Sequence, residues 1–556
     1  MIDHKKFFFS KRFIADKILK ILERYYYFIF LIYFFIGLFI FRTYGVSTDE
    51  DFQRGIGIYW YNYLIDNFLG SFHKYNFYIP SDNTIVGPEA YLFYSAIFDL
   101  IVVFLESFLK INDYSYYYLR HFCNFFIFFL SSYFFFKLIE NRFKNRILSI
   151  IGTLFYILSP RIFAESFYNS KDILFLSTFV ISTYQFFLFL RNQNLKNLLV
   201  LVIFISLLFS IRPLGILLFF FLILFQITNF LIFKKSYLRN TLYILLSFFA
   251  FFQFIYIFNP FFWGDFSNNF LFLLKFYSES SWNYTCFYLG DYLRSTNLPW
   301  HYIFVWIIIT QPFLYVILFF LGFLLIFFRI LNRFNKVEKR NFNHSDFWNN
   351  NLEQFDILIF LIFISNIYLI IKLNTTIYDG WRHLYFLHFC IVYMIIFSLY
   401  FFLFFYKKKR KIIYFILFFY LSSLIVINYA FHPLQNIYFN FFVREPHKYF
   451  DVDYWGLSYK DALRKVLELG QKDKLYVSNA SFTPLGRSKE LLKSKEKDRI
   501  VIIGQDYQKS DFIVTNNYSE VNKNINGKYL IPDNFKLVYE KSIAGIRVYQ
   551  IFKKNI

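Results

Sequence analysis

Apolar runs of membrane-crossing length recur along this chain from Tyr25 to Tyr429, and nothing else in the sequence restricts the fold as strongly. A crossing helix needs about 20 mostly apolar residues, because the bilayer core offers no water to satisfy an exposed backbone. Eleven stretches meet or approach that requirement: 25–41, 118–138, 147–160, 173–190, 195–211, 213–233, 241–258, 312–331, 355–372, 384–406 and 412–429. With 57% hydrophobic and only 17% charged residues, the chain reads as a polytopic membrane protein and not as a soluble globule. The three cysteines, Cys123, Cys286 and Cys390, fit neither a disulfide framework nor a metal-ligand spacing.

A net charge of +22 raises the question of nucleic-acid binding, which the placement of the charge answers. Segments 1–24, 137–146, 191–196, 234–240, 329–354 and 407–411 hold 26 Lys and Arg, whereas the alternate segments 42–90, 159–172, 212, 259–301 and 372–383 hold ten. That asymmetry is the positive-inside bias. It predicts a cytoplasmic amino terminus, an extracytoplasmic carboxy terminus and no nucleic-acid partner. The first run lacks a small-residue cleavage site, so it reads as a retained helix and not a signal peptide.

The run 91–109 is the exception to simple alternation, since counting it as a span reverses every later segment. Asp99 and Glu106 lie inside it and are costly in lipid. It therefore reads as an interfacial or re-entrant helix. The segment 259–301 reads as the one long loop of the membrane part. From Ala430 the composition turns polar, with strand-like runs KLYVSN, RIVIIG, DFIVTN, FKLVYEKS and IRVYQIF. YKDALRKVLELG reads as an amphipathic helix opened by a Ser458–Asp461 capping box. The expected organisation is a cytoplasmic segment 1–24, an α-helical transmembrane domain 25–429 of about eleven spans with outer interfacial helices, and an extracytoplasmic α/β domain 430–556.

Three polar groups fall on the predicted outer face. The first is Asp49, Glu50 and Asp51 in TYGVSTDEDFQRG, directly after the first run. The second, in SPRIFAESFYNSKDI, is Arg161, Glu165, Lys171 and Asp172. The third, in TTIYDGWRHLYF, is Asp379, Arg382 and His383, with Trp381 and Tyr385 at the height where aromatic belts form. Acids and cations gathered at one membrane surface point to binding of an anion and to proton transfer.

At these residues the sequence resembles the polytopic GT-C glycosyltransferases, in particular the family 39-like bacterial relatives of protein O-mannosyltransferases and of the lipid A aminoarabinose transferase. The resemblance runs through Asp49-Glu50, then Gly87, Pro88 and Glu89 before an aromatic stretch, Asp172, NPFFWGDF, LPWHYIFVWIIITQP, YDGWRHLYF, HPLQNIYFN and YFDVDYWGLSYKDAL. This chain has three adjacent acids where many relatives have two. The resemblance implies a helix bundle around an outer cavity and a donor sugar carried on a polyprenyl phosphate. It adds Glu89 to the expected substrate-binding residues, beside Arg161, Glu165, Lys171, Asp379, Arg382 and His383.

The residue inventory suits that chemistry. A sugar leaving a polyprenyl phosphate releases a phosphate monoester whose second pKa is about 6, so the leaving group needs positive charge more than it needs an acid. The acceptor hydroxyl needs a base, and one base with one displacement inverts the anomeric centre. Asp49 is the first candidate base and Glu50 the second, with Asp172 orienting the acceptor or a divalent ion. The sequence singles out no organic cofactor and leaves a divalent metal ion open, since carboxylates alone suit a hard cation. Expected partners are the donor, a lipid, glycan or protein acceptor, and the bilayer, here the inner membrane of a bacterial cell. The competing expectation is a transporter of an anionic or sugar-like substrate. Paired repeats with breaks near mid-membrane would mark it, and Arg212-Pro213 is the nearest candidate break. A third expectation makes the outer domain a receptor or assembly platform, for which so many spans are an extravagant anchor.

Overall fold

The computed structural model describes residues 20–70 apart from 22, 74–80, 92, 94–233, 237–279, 283–334, 348 and 350–555. The chain is mostly helical. Its helices are α1 Tyr27–Ile40, α2 Glu50–Leu64, α3 Ile97–Phe108, α4 Ser115–Phe143, α5 Arg146–Leu158, α6 Pro160–Tyr168, α7 Asp172–Arg191 and α8 Leu195–Ile211. They continue as α9 Ile216–Phe233, α10 Tyr237–Phe258, α11 Phe266–Glu279, α12 Tyr302–Thr310, α13 Phe313–Phe334, α14 Asn351–Lys372, α15 His388–Phe405 and α16 Arg410–Phe431. Every one of the eleven apolar runs lies on such a helix. Among the described residues, seven helices are long and apolar enough to cross a membrane, eight if the bent pair α5 and α6 counts as one span. The runs at 25–41, 195–211 and 213–233 form shorter apolar helices. The 67° bend between α5 and α6 follows from Pro160, which forces Ser159 out of helical geometry and then starts α6 from its first turn.

Shape and charge hold the bundle together. Gly322 of α13 sits against the backbone carbonyl of Met394 in α15, so a β-carbon there would overlap that oxygen. Beside this contact, Asp356 of α14 is fully buried and takes Arg142 of α4 at 2.7 and 2.5 Å, Arg329 of α13 at 2.8 Å, and the Tyr393 hydroxyl of α15. An isolated carboxylate in that position would be prohibitively desolvated, so the two guanidiniums are what allow it to tie four helices.

The run 91–109 forms α3, whose 12 residues rise only about 18 Å, too little for a core of about 30 Å. Its two acids are paired, Asp99 with Arg120 at 2.6 Å and Glu106 with Arg54 at 2.5 Å. The segment 259–301 is a correction to the reading of a loop. It holds α11 and a hairpin, β1 Thr285–Tyr288 and β2 Asp291–Arg294, turned at Leu289 and Gly290 with φ of 54° and 94°. Two consecutive positive φ values are the geometry that matches strand twist in a two-residue turn. The hairpin is tied to the outer domain by Phe287 N–H donating to the Asp451 carboxylate at 2.9 Å.

All five strand-like runs form one sheet: β3 Leu475–Asn479, β4 Ile500–Ile502, β5 Phe512–Thr515, β6 Phe535–Ile543 and β7 Ile546–Lys554, in the order β4-β3-β5-β7-β6. β3, β4 and β5 are parallel, and β7 and β6 return antiparallel. Helix α17, Tyr459–Leu469, buries Tyr459, Ala462, Leu463 and Val466 on one face. The expected Ser458–Asp461 capping box does not form. No side chain caps α17; Asp453 accepts from the Leu457 and Ser458 N–H groups in the turn that leads into it, and Asp461 is taken by the Tyr549 hydroxyl at 2.7 Å. The domain is pressed onto the bundle, with Gly45 against Leu457 and Lys460 donating to the carbonyls of Arg42, Thr43 and Tyr44.

Gly322→Val tests the α13–α15 contact. Its side chain meets backbone, which cannot rotate away, so the substitution is expected to cost about 3 kcal/mol, the upper end for overpacking. A thermal-unfolding midpoint equal to that of the wild type in the same detergent would mean the helices are not this close.

Candidate functional site

Residues from the three outer motifs meet around one guanidinium. Arg382 lies 3.3 Å from Asp49 through Nη1, 3.2 Å from Asp379 through Nη2, and 3.8 Å from Asp172. Its flat faces rest on Tyr378 and on Trp455, 4.8 and 4.7 Å from the ring centres. The backbone makes this possible at Asp379 and Gly380, both left-handed with φ of 56° and 73°. A non-glycine residue there is uncommon and strained. The tight turn aims Asp379 back at Arg382, while Trp381 is anchored by donating from Nε1 to Thr310 at 2.9 Å.

Asp49 lies in the turn that enters α2. It is the residue immediately before α2, and its side chain makes no capping bond, which leaves the carboxylate free for Arg382 and 36% exposed. Asp172 opens α7, is buried, and is held by Arg212 and by the Asn169 amide at 2.8 Å. Asn169 also donates to Glu165 at 2.7 Å, and Glu165 takes the hydroxyls of Tyr385 and Tyr454 at 2.8 and 3.0 Å. Glu165 is thus a fully engaged buried acid behind Asp172. Lys171 packs its ammonium 4.3 Å over the Tyr94 ring and forms no ion pair among the described residues. Burial, with Arg212 beside it, pushes its amine down to about 8. Burial also pushes the Asp379 carboxyl up to about 6, against the pull of Arg382 and of the Tyr518 hydroxyl, which donates at 2.6 Å.

The remaining predicted residues are placed elsewhere or at the rim. Glu50 is buried and taken by Ser47 N–H and His121, and Asp51 by the hydroxyls of Tyr116 and Tyr117 and by Arg487. Arg161 is buried between Trp306 and Phe439 and donates to the Tyr438 carbonyl at 3.0 Å, away from the three carboxylates that Arg382 joins. His383 stands edge-on to Tyr378, with its Nδ1 buried and unpartnered. Glu89 lies outside the described residues, as do Gly87 and Pro88. Arg212, in sequence a lone cation between two apolar runs and a possible break, is the main partner of Asp172. Trp455 lies in the YFDVDYWGLSYKDAL stretch, but nothing local to it points to Arg382, and Tyr518 carries no sequence signal for a role here, because both come from the distant carboxy-terminal domain.

No protein-family model matches this chain, and comparison with curated proteins returns no significant match. Chemistry must therefore be read from the cluster itself. Its three carboxylates converge on a guanidinium rather than on a shared opening, and among the described residues no group of three His, Cys, Asp or Glu is disposed to hold a metal ion. What the cluster offers is one part-exposed carboxylate, one ammonium beside it with no ion pair among the described residues, and a mixed-charge wall.

Arg382→Met removes the charge shared by three acids while roughly keeping volume, which is expected to cost on the order of 3–5 kcal/mol near neutral pH. The loss should shrink at acid pH. Asp379 already takes its proton near pH 6, and without Arg382 that pKa moves higher still, so protonation relieves the repulsion. Thermal unfolding of wild type and variant at pH 5 and pH 8 checks this, and an equal gap at both values contradicts it.

Proposed function

We propose that this protein is an inverting glycosyltransferase of GT-C type that moves a sugar from a polyprenyl-phosphate donor to an acceptor hydroxyl at the outer face of a bacterial inner membrane. The observation that carries the reading is Asp49: a part-exposed carboxylate held at a helix start, beside the Lys171 ammonium, which has no ion pair among the described residues, and backed by a guanidinium that joins three acids. The proposed topology has eleven spans, with the short helices α1, α8 and α9 and the bent α5–α6 pair among them. The bias of 26 cations against ten then places this cluster outside.

In the proposed reaction Asp49 accepts the proton of the acceptor hydroxyl as that oxygen attacks the anomeric carbon. The bond from that carbon to the phosphate oxygen breaks on the opposite side, and the electron pair leaves with the phosphate. Lys171 supplies the point charge for the departing phosphate, with His383 and Arg382 beside it. Asp172 serves this arrangement by fixing Arg212 and Arg382, a structural duty that replaces direct contact with the acceptor. A transport reading finds less support. The charged cluster inside the bundle, Asp356 with Arg142 and Arg329, is committed to holding helices together.

Asp49→Asn keeps shape and removes basicity. Transfer from a polyprenyl-phosphate sugar in proteoliposomes is expected to fall by about 100-fold or more, with yield and unfolding midpoint retained. Wild-type turnover in this variant would sink the assignment.

A further inference from the structure

The three adjacent acids are held in three different ways, and the middle one is paired through a proton. His121 of α4 is fully buried, with Nδ1 3.0 Å from the Phe41 carbonyl and Nε2 3.1 and 3.2 Å from the two oxygens of Glu50. A carbonyl only accepts, so these partners assign a hydrogen to Nδ1. Nε2 faces a carboxylate, which also only accepts, so a second proton lies between Nε2 and Glu50. Whether it sits on the ring or on the acid, the pair is neutral overall. That is the charge state burial favours.

The same Glu50 oxygen accepts the Ser47 N–H at 2.9 Å, and the Glu50 N–H donates back to the Ser47 carbonyl at 3.3 Å. Glu50 therefore closes the turn that contains Asp49. On the far side Asp51 is fixed by Tyr116 at 3.0 Å, Tyr117 at 2.7 Å and Arg487 at 3.1 Å. Tyr117 and His121 are four residues apart, on one face of α4. Asp49 is pinned from both neighbours while its own carboxylate points away, toward Arg382.

We propose that Glu50 and His121 form a proton-sharing positioning pair that sets the part-exposed Asp49 carboxylate against Arg382. The inference rests on the reading of Asp49 as the base. Misplacing a reacting group by about 1 Å can cost about 100-fold in rate, so a pin of this kind acts on turnover without touching substrate.

The test uses the full-length protein in proteoliposomes. Glu50→Ala and His121→Ala are each expected to lower kcat by about 10- to 100-fold, with donor KM little changed. The double variant should be no slower than the slower single one, because both remove the same link. Glu50→Gln should recover most of the turnover lost in Glu50→Ala and keep the wild-type pH profile. Its amide can donate to a neutral His121 while its carbonyl takes the Ser47 N–H. A Glu50→Gln variant as inactive as Asp49→Asn, additive losses, or a change confined to KM would each overturn the proposal. A second readout does not depend on transfer. Carbodiimide labelling followed by peptide mass spectrometry should modify Asp49 and spare Glu50 in the wild type, and should reach Glu50 in His121→Ala. If the wild type moves no sugar but labels in this way, the glycosyltransferase reading fails and the pair stands. Labelling of Glu50 in the folded wild type overturns the pair itself.

Discussion

Arg382 is the interaction on which the polar end of the helix bundle depends. A single guanidinium, buried between Tyr378 and Trp455, joins acids that begin α2, begin α7 and end the loop after α14. Three carboxylates cannot remain ionised so close together in a poorly solvated place without it. Arg212 relieves Asp172 and Tyr518 relieves Asp379, which leaves Asp49 as the acid with the greatest freedom. The arrangement turns mutual repulsion among acids into a fixed geometry and leaves one carboxylate facing outward.

The outer domain belongs to this geometry. Trp455 supplies one face of the Arg382 sandwich, Tyr518 holds Asp379, and Arg487 reaches both Asp51 and the Thr48 carbonyl. The hairpin after α11 docks on the same domain through Asp451. The apolar helices place the acids, and side chains from the carboxy-terminal sheet domain keep them from separating.

Much of the architecture was legible in the sequence because length and hydropathy set it. Each apolar run is a helix and each β-branched, aromatic run after Lys474 is a strand, since both depend on local pattern. The three outer motifs were also legible, as charges at span ends. Partnership was not. Nothing near Asp49 in sequence announces that Glu50 will face His121 or that Asp51 will face two tyrosines, because those contacts come from α4, some 65 to 71 residues away. Arg161 and Lys171 looked equivalent as outer cations. Packing sends Arg161 between Trp306 and Phe439 and leaves Lys171 beside Asp172. The Ser458–Asp461 spacing was locally right for a cap, but Asp461 is drawn off by the Tyr549 hydroxyl of β7, a contact that only the fold supplies.

The claim that most needs testing is that this outer cluster transfers a sugar. Mass spectrometry of surface glycolipids and glycoproteins in a strain lacking the protein, with and without complementation by the wild-type chain, addresses it directly. The account expects one sugar to disappear from one class of acceptor, its polyprenyl-phosphate carrier to accumulate, and the wild-type chain to restore both. An unchanged set of surface glycans, with no carrier accumulating, would contradict it.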